Sequence, residues 1–585
     1  MLAAGLIQPA PALAAPSPVA SAIATSATFS LGPTHALTIS AGGLRVQLQS
    51  SVTAPRTLSV TQQAMRYTLG APKNPKGLLT LTLRTLPSGS KMMFVDLEAR
   101  DSTPSVNLSI SSASPSALLH DLNLQPNLTP NKVQGVDRTT GPIGWVDFSL
   151  GAATDAPLFL SKAYRYDILT KAYPGGGPST VRELISETPT MTISQGGAGT
   201  TAAISLGLDA SGRQHSQRYF IVSSAAISDS VIGIYTIGNV MGNEWRWLDP
   251  LGSYDKAPYS IEPETRFGYV RSLLDMRGGG TLSAYRATRS ALFGDLLAND
   301  LYTLGALRSK DGLWRTDYTS TWVKAESGIV APYVDTRHNE HLSELSLSIA
   351  EALGSQGVVA VAECTRWADN YAKYLNGLAA RGAVVRTQHG ILIGDYYDAS
   401  GELKVHTSMN HALGGMNYLY DMYVRTADHR YVDLAEQVRA GIDDTAPGWI
   451  RRNHDLWYQR NVNGTFEGTD YPYVTYMDLL GARMRIFGIM GAIDPAIEML
   501  LAEKAAFLKA RPDRMLAEAR PVQPRGSGLP QAIHSVLPGA FSAPHAGHSV
   551  SMCLALGSPG CKSGTCSASS SSDRCAGLGG SISSG

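Results

Sequence analysis

Thr407-Ser-Met-Asn-His-Ala-Leu-Gly-Gly-Met-Asn-Tyr-Leu-Tyr-Asp-Met-Tyr423 is the stretch whose reading decides the fold. Its residues Met409, Leu413, Met416, Tyr420 and Tyr423 step by four, three, four and three, the spacing that lines one face of an α-helix. Thr407 and Ser408 ahead of it are capping residues. The same period runs outward in both directions. Upstream, Leu282, Tyr285, Leu292, Leu296 and Leu297 share a helical face, Leu342, Leu345, Ile349 and Leu353 step by three or four, and Val358 to Leu378 reads as another helix. Downstream, Tyr431 to Ala440 follows the short link Ala427-Asp428-His429, and Thr475 to Met490 is helical again. Asp494-Pro495 is an N-cap with a first-turn proline, opening a helix to about Ala510. Helices in consecutive pairs with sparse charge predict an (α/α) toroid or incomplete α-barrel.

Before about residue 275 the period is two. Ala36-Leu-Thr-Ile-Ser, Leu44-Arg-Val-Gln-Leu, Leu78-Leu-Thr-Leu-Thr-Leu, Met93-Phe-Val-Asp-Leu and Val106-Asn-Leu-Ser-Ile read as strands broken by Gly, Pro, Ser and Asn. Thr190-Met-Thr-Ile, Ala203-Ile-Ser-Leu, Arg218-Tyr-Phe-Ile-Val and Ile232-Gly-Ile-Tyr continue the series, with no long helical period among them. An antiparallel β-sandwich or barrel fits. The chain is thus an α+β multidomain protein: a leader over 1–25, a β-rich domain over 26–275, an (α/α) domain over 280–512 and a low-complexity, disordered tail over 520–585.

Composition narrows the function. The 585 residues carry 49 Lys+Arg against 48 Asp+Glu, a formal net charge of +1, and only 17% are charged. Such a chain has no bulk field to hold a polyanion, so nucleic acid is excluded as a partner. No run of about 18 apolar residues occurs, so no membrane span is expected. Met1 to Ala15, with Ala12-Leu13-Ala14 as a cleavage-like site, reads as the end of a secretory signal lacking its basic beginning. The alternative is an Ala/Pro leader with no targeting role. A secreted or cell-surface location is the expectation. Cys553, Cys561, Cys566 and Cys575 cluster in the Gly/Ser-rich tail at spacings that match no zinc pattern, while Cys364 stands alone in a helix.

Tyrosine is in surplus, 25 against 11 Phe, and ten of the 25 lie between Tyr396 and Tyr476. Three contexts hold the chemistry. Gly394-Asp395-Tyr396-Tyr397-Asp398 precedes the helix in which Asn410 faces inward. Arg451, Arg452, Asp455, Trp457, Tyr458 and Arg460 form a polar segment between helices. It holds the kit for a carboxylated sugar, Arg forking the carboxylate and Trp stacking on the ring. Asp470-Tyr471-Pro472 sits at a helix entrance, where the proline keeps Tyr471 extended. Each context also has a plain reading, as turn residues and packing.

In order and spacing these contexts resemble the C-terminal domain of the D-glucuronyl C5-epimerases (heparosan-glucuronate 5-epimerase-like). The resemblance rests on Asp395-Tyr396 before Ser408 to Asp421, then Asp455-Leu456-Trp457-Tyr458, then Asp470-Tyr471, and covers roughly Ser309 to Leu480. The family's first acidic residue is usually Glu, where this chain has Asp395; its last Asp-Tyr is usually followed by His and Thr, where Pro472 and Tyr473 stand here. The resemblance implies a β domain joined to an (α/α) domain, and C5 epimerisation of a glucuronate-containing polysaccharide. It implies Tyr396, Tyr458 and Tyr471 as the acid/base set, with Tyr397 the alternative if the register is off by one. Arg451, Arg452 or Arg460 would bind the carboxylate, and Asp395, Asn410 and Trp457 would line the site. No cofactor is implied. The expected partner is a uronic-acid polysaccharide, with a homodimer as the assembly.

The chemistry removes a proton α to a carboxylate and returns one to the opposite face. Tyrosine serves as base if its pKa falls from about 10 towards neutrality, roughly 4 kcal/mol of stabilisation, which nearby arginines would supply. A further polar patch, Asp335, Arg337, His338, Glu340 and His341, opens a helix. It lacks the HExxH pattern, so Arg337, His338 and Glu340 are read as substrate-binding residues rather than metal ligands, against a plain reading as capping and surface polarity. Rival functions are a polysaccharide lyase, which shares the first proton abstraction, and a glycoside hydrolase using two carboxylates from Glu340, Asp395, Glu467 and Asp470. A non-catalytic glycan-binding surface protein is the third.

Overall fold

Along the strand Lys91–Ala99, Met93, Val95 and Leu97 enter one buried cluster while Met92 and Phe94 enter another. Successive side chains of a strand point to opposite faces, so this strand belongs to a sheet covered on both sides. In the computed structural model, which describes residues 25–510 apart from 123–129, 132–134, 151–152, 197–200, 229, 258, 272, 274–277 and 355–360, that sheet is antiparallel and thirteen-stranded. One face stacks on a five-stranded antiparallel sheet ordered Ser26–Ser30, His35–Ser40, Ser105–Ser112, Ala203–Asp209, Met191–Ser194. Leu37, Ile39, Leu108, Ile110, Ile204 and Leu206 from the small sheet share a core with Val95, Leu97, Phe148 and Phe220 from the large one. Of the two expected β forms, sandwich or barrel, the packed pair of sheets is a sandwich. The leader and the cysteine-bearing tail lie outside the described residues; Cys364 is buried and unpaired.

The other face of the large sheet, with Phe94, Tyr219 and Ile221, shares its core with Leu296, Leu297 and Leu301 of the helical half. Among the described residues there are ten helices: α1 (Val231–Glu244), α2 (Gly279–Thr288), α3 (Ala291–Leu307), α4 (Thr321–Ser327), α5 (Thr336–Gly354), α6 (Val361–Ala380), α7 (Met409–Thr426), α8 (His429–Trp449), α9 (Val474–Met490) and α10 (Pro495–Lys509). The buried Arg84 ties the halves together, donating from Nη1 to Asn299 Oδ1 at 2.6 Å and Thr303 Oγ1 at 2.7 Å on α3.

Helix α5 packs on α3 and α7, and α7 on α9, while α6, α8 and α10 form a second row behind them. Two residues, Ala427 and Asp428, separate α7 from α8, so the chain reverses directly. The expected toroid is therefore seen as two helix rows and not as a closed ring among the described residues. No described helix is long and apolar enough to cross a membrane.

Three expectations need correction. Ile232-Gly-Ile-Tyr235 is not a strand but part of α1, which is capped by the Ser230 hydroxyl accepting from Gly233 N at 3.0 Å. Four residues alternate equally well in either structure; the longer window, with Ile237, Val240 and Met241 buried, carries the helical period. The face from Leu282 to Leu297 is two helices, because Arg289 takes a left-handed backbone with φ 58° and turns the chain. The segment from Tyr431 runs on to Trp449, nine residues beyond Ala440.

Because Phe94 fills the junction between sheet and helices, Phe94→Ala is expected to lower stability by about 3–5 kcal/mol, measured as a fall in the urea midpoint at unchanged slope.

Candidate active site

The starts of α5 and α7 are laced together by backbone pairing. The two-residue strand Val334–Asp335 pairs with Tyr396–Tyr397, setting Asp335 opposite Tyr396. Thr407–Ser408 pairs with Gln459–Arg460. Thr336 N donates to Asp395 O at 3.0 Å, Asp395 N to His406 O at 3.1 Å, and Met409 N to Tyr458 O at 3.3 Å. Segments far apart in sequence thus converge on one helix mouth.

Strand alternation separates the adjacent tyrosines. Tyr397 turns into the core, where its hydroxyl donates to Ala383 O and accepts from Gly394 N, both at 2.9 Å. Tyr396 turns the other way, among Trp322, Tyr333, His406 and His411, with ring centroids 5.8–6.1 Å away. The off-register alternative, Tyr397, thus has a packing role. Tyr458 lies 5.9 Å from His406 and 5.7 Å from Tyr471, edge-on. The three tyrosines selected from the sequence therefore form one wall, joined through His406. Among the described residues the hydroxyls of Tyr396 and Tyr471 have no hydrogen bond.

Asp395 is the hub of this wall. It is wholly buried; Oδ1 accepts from Ser408 N at 2.8 Å and Oδ2 from Ser408 Oγ at 2.6 Å. His406 Nε2 lies 3.2 Å and His411 Nε2 3.6 Å from Oδ2. Burial acts to raise the carboxyl, but His411, His406 and Ser408 outweigh it and hold it below its ordinary range. Burial depresses His411, against the pull of Asp395 and Asp335; its Nδ1 sits 2.8 Å from Thr336 Oγ1. Burial also opposes the charge on His406, yet Asp395 and Glu326 overcome it and raise that ring to about 9.

The tyrosines depart from expectation in their acidity. Burial, then Tyr458, Asp335 and Asp395, hold Tyr396 well above its ordinary value. Burial, then Asp395, Tyr471 and Asp335, do the same for Tyr458. Tyr471, 41% exposed, is raised by partial burial and by Asp470, Asp335 and Asp395. The expected lowering by arginine is overturned: burial and neighbouring carboxylates raise all three hydroxyls, and no arginine is among the groups that shift them. The Arg451 guanidinium stacks 4.6 Å from the Trp457 ring and lies 3.6 Å from Asp455; Arg460 lies 6.0 Å from the Phe466 ring; Arg452 is exposed. Trp457, covered by Arg451 and packed on the core, is not joined to the wall.

Asn410, in the first turn of α7, is 5% exposed and its Oδ1 has no hydrogen-bond partner among the described residues. Arg337 donates from Nη1 to Glu340 Oε1 at 2.9 Å and to Asn410 O at 3.2 Å, and from Nη2 to Asp478 Oδ1 at 2.8 Å. Burial holds Glu340 above the usual carboxylate range despite Arg337 and His341. The Arg337–Glu340 pair thus joins α5, α7 and α9 beneath the wall. His338 N donates to Asp335 Oδ1 at 2.9 Å, with ring Nδ1 3.5 Å from Oδ2. Among the described residues no group of three or more His, Cys, Asp and Glu is placed to hold a metal ion. Asp470 is a structural acid: Oδ2 takes the buried Lys504 ammonium at 2.6 Å, which also meets Asp455 Oδ1 at 2.6 Å.

Sequence reasoning did not select His406, Glu326 or Trp322. His406 stands two residues before the Ser408 cap, and a basic residue buried between carboxylates leaves no periodic trace.

No family model and no curated protein matches the chain. Solved structures similar to it are carbohydrate-processing enzymes at low identity. The cellobiose 2-epimerase of Spirochaeta thermophila is 12% identical over 36% of this chain and 51% of that one, with a TM-score of 0.29. A D-mannose isomerase is 15% identical over 40% and 58%, with a TM-score of 0.29. The unsaturated glucuronyl hydrolase of a Bacillus species is 11% identical over 41% and 61%, with a TM-score of 0.28. The chain spans 51–61% of the length of these structures. Likeness at this level assigns no activity to it.

Lys504→Met leaves Asp455 and Asp470 buried without their shared cation, and is expected to cost about 3–5 kcal/mol, read as a lowered melting temperature at pH 7.

Proposed function

We propose that the chain is a carbohydrate-active enzyme that moves a proton on a sugar ring and, within that class, a secreted or cell-surface uronic-acid C5-epimerase acting on a glucuronate-containing polysaccharide. The observation that carries this reading is the wall of three tyrosines, two with unengaged hydroxyls, beside Asp335 and Asp395.

Tyrosines held above their ordinary pKa are neutral at pH 7, so they act as donors rather than as resting bases. Their hydroxyls suit the oxygens of a sugar carboxylate, on which charge grows as the C5 proton leaves. Donors aimed at developing charge in a dry site stabilise the transition state most. This removes the need for an arginine clamp. The base in this scheme is Asp335. It lies directly across from Tyr396 in the antiparallel pair, and directly opposed residues project on one face. Base and donor then meet the same ring, and in this scheme the proton returned to C5 comes from Tyr458 or Tyr471.

One observation favours a second reading, a glycoside hydrolase. The site holds Asp395 and Glu326 on either side of His406, with Asp335 paired to the neighbouring Tyr396 strand. Clustered carboxylates suit an oxocarbenium-like transition state. A lyase shares the proton abstraction and differs in expelling the O4 substituent.

Incubation with glucuronate polymers in heavy water, followed by NMR, separates these. The expected result is deuterium at C5, lowered at least about 100-fold by Tyr396→Phe, Tyr471→Phe or Asp335→Asn with the fold intact. Full exchange in both Tyr458→Phe and Tyr471→Phe would overturn the epimerase. Ultraviolet-absorbing unsaturated ends would indicate the lyase, and new saturated reducing ends the hydrolase.

A further inference from the structure

His406 is wholly buried, yet it faces a carboxylate on each side of its ring. Nδ1 lies 2.7 Å from Glu326 Oε1, a residue 80 positions away on α4. Nε2 lies 3.2 Å from Asp395 Oδ2, an ion-pair contact rather than an aligned hydrogen bond. Trp322, also on α4, stacks on the ring with centroids 5.6 Å apart and planes 24° apart. Tyr396 and Tyr458 close the remaining sides.

A neutral imidazole carries a lone pair on one nitrogen. Between two carboxylates, that lone pair would confront an anion whichever tautomer formed. Only the doubly protonated ring meets both sides favourably. We propose that His406 is a positioning residue: as a cation bridged between Glu326 and Asp395, it fixes the Asp395 carboxylate, and through it the Ser408 start of α7 and the Tyr396–Tyr458 wall. This deepens the proton-transfer reading above and rests on it for its catalytic consequence. The ring is not exposed, so it does not touch substrate.

The charged and titratable groups that face His406 are Glu326 from α4, Asp395 from the adjoining strand end, His411 from α7, and the hydroxyls of Tyr396 and Tyr458. His411 opposes the charge and the carboxylates favour it; the ring is raised to about 9 in sum. Because the folded value stands above the unfolded one of about 6.5, the clamp's stabilisation is complete below pH about 6.5 and is lost as pH rises through about 9.

The test is NMR of the full chain labelled with ¹⁵N-histidine, the His406 signals being assigned by their loss in His406→Gln. Both ring nitrogens should stay protonated to about pH 9, and Glu326→Gln should weaken proton affinity at least about ten-fold. A wild-type ring that titrates near its ordinary value, or a midpoint unmoved in Glu326→Gln, overturns the clamp. In the C5-exchange assay, kcat of Glu326→Gln should fall about ten-fold or more with little change in KM, and Glu326→Asp, which keeps the charge, should recover part of it. Unchanged kcat overturns the positioning role. A wild-type protein without turnover would sink the epimerase reading, while the NMR titration still decides the clamp.

Discussion

A carboxylate with no access to water governs the centre of this molecule. Asp395 is 0% exposed, and an ion in that position is tolerated only when donors replace its hydration shell. Ser408 supplies a backbone N–H and a hydroxyl, and His406 and His411 approach the same oxygen. Satisfying one charge thereby fixes where α7 begins, how the loop before it runs and which way Tyr396 looks. Lose the carboxylate and the loop from Ile391 to Ser408 has no common anchor.

The second constraint is the large sheet's need for cover on both faces. Its strands alternate between a core shared with the smaller sheet and a core shared with α1 and α3. The helical rows consequently rest on the sheet, and Arg84 reaches from one to the other with several hydrogen bonds. Tyr259, in the link between the large-sheet strands Gly252–Lys256 and Gly268–Arg271, places its hydroxyl 3.1 Å from that of Tyr318.

Period was the part of the fold that could be read in advance. Met409 to Tyr423 lies within α7, Thr475 to Met490 within α9, and Asp494-Pro495 opens α10. Helices and strands announce themselves through local repetition, and where the local window was short, as at Ile232 to Tyr235, the reading failed. Grouping of the tyrosines was also legible, since all three contexts fall in the polar links between helices. Charge placement was not. Arg451 meets Trp457 and Asp455 in its own segment, whereas Glu326 crosses 80 residues to meet His406. Long-range pairing of single charges has no period, so nothing in the chain order distinguishes Lys504, buried between two acids, from a solvated lysine.

The sheet that is covered on both faces also bears on how the molecule comes apart. A sandwich and a helical layer with separate cores would melt as two independent units. Here Phe94, Tyr219 and Ile221 belong to the same buried cluster as Leu297, Leu413 and Leu479, so loosening either layer strips cover from the other. Sandwich and helices therefore share cover along this junction, and opening one exposes apolar surface of the other to water.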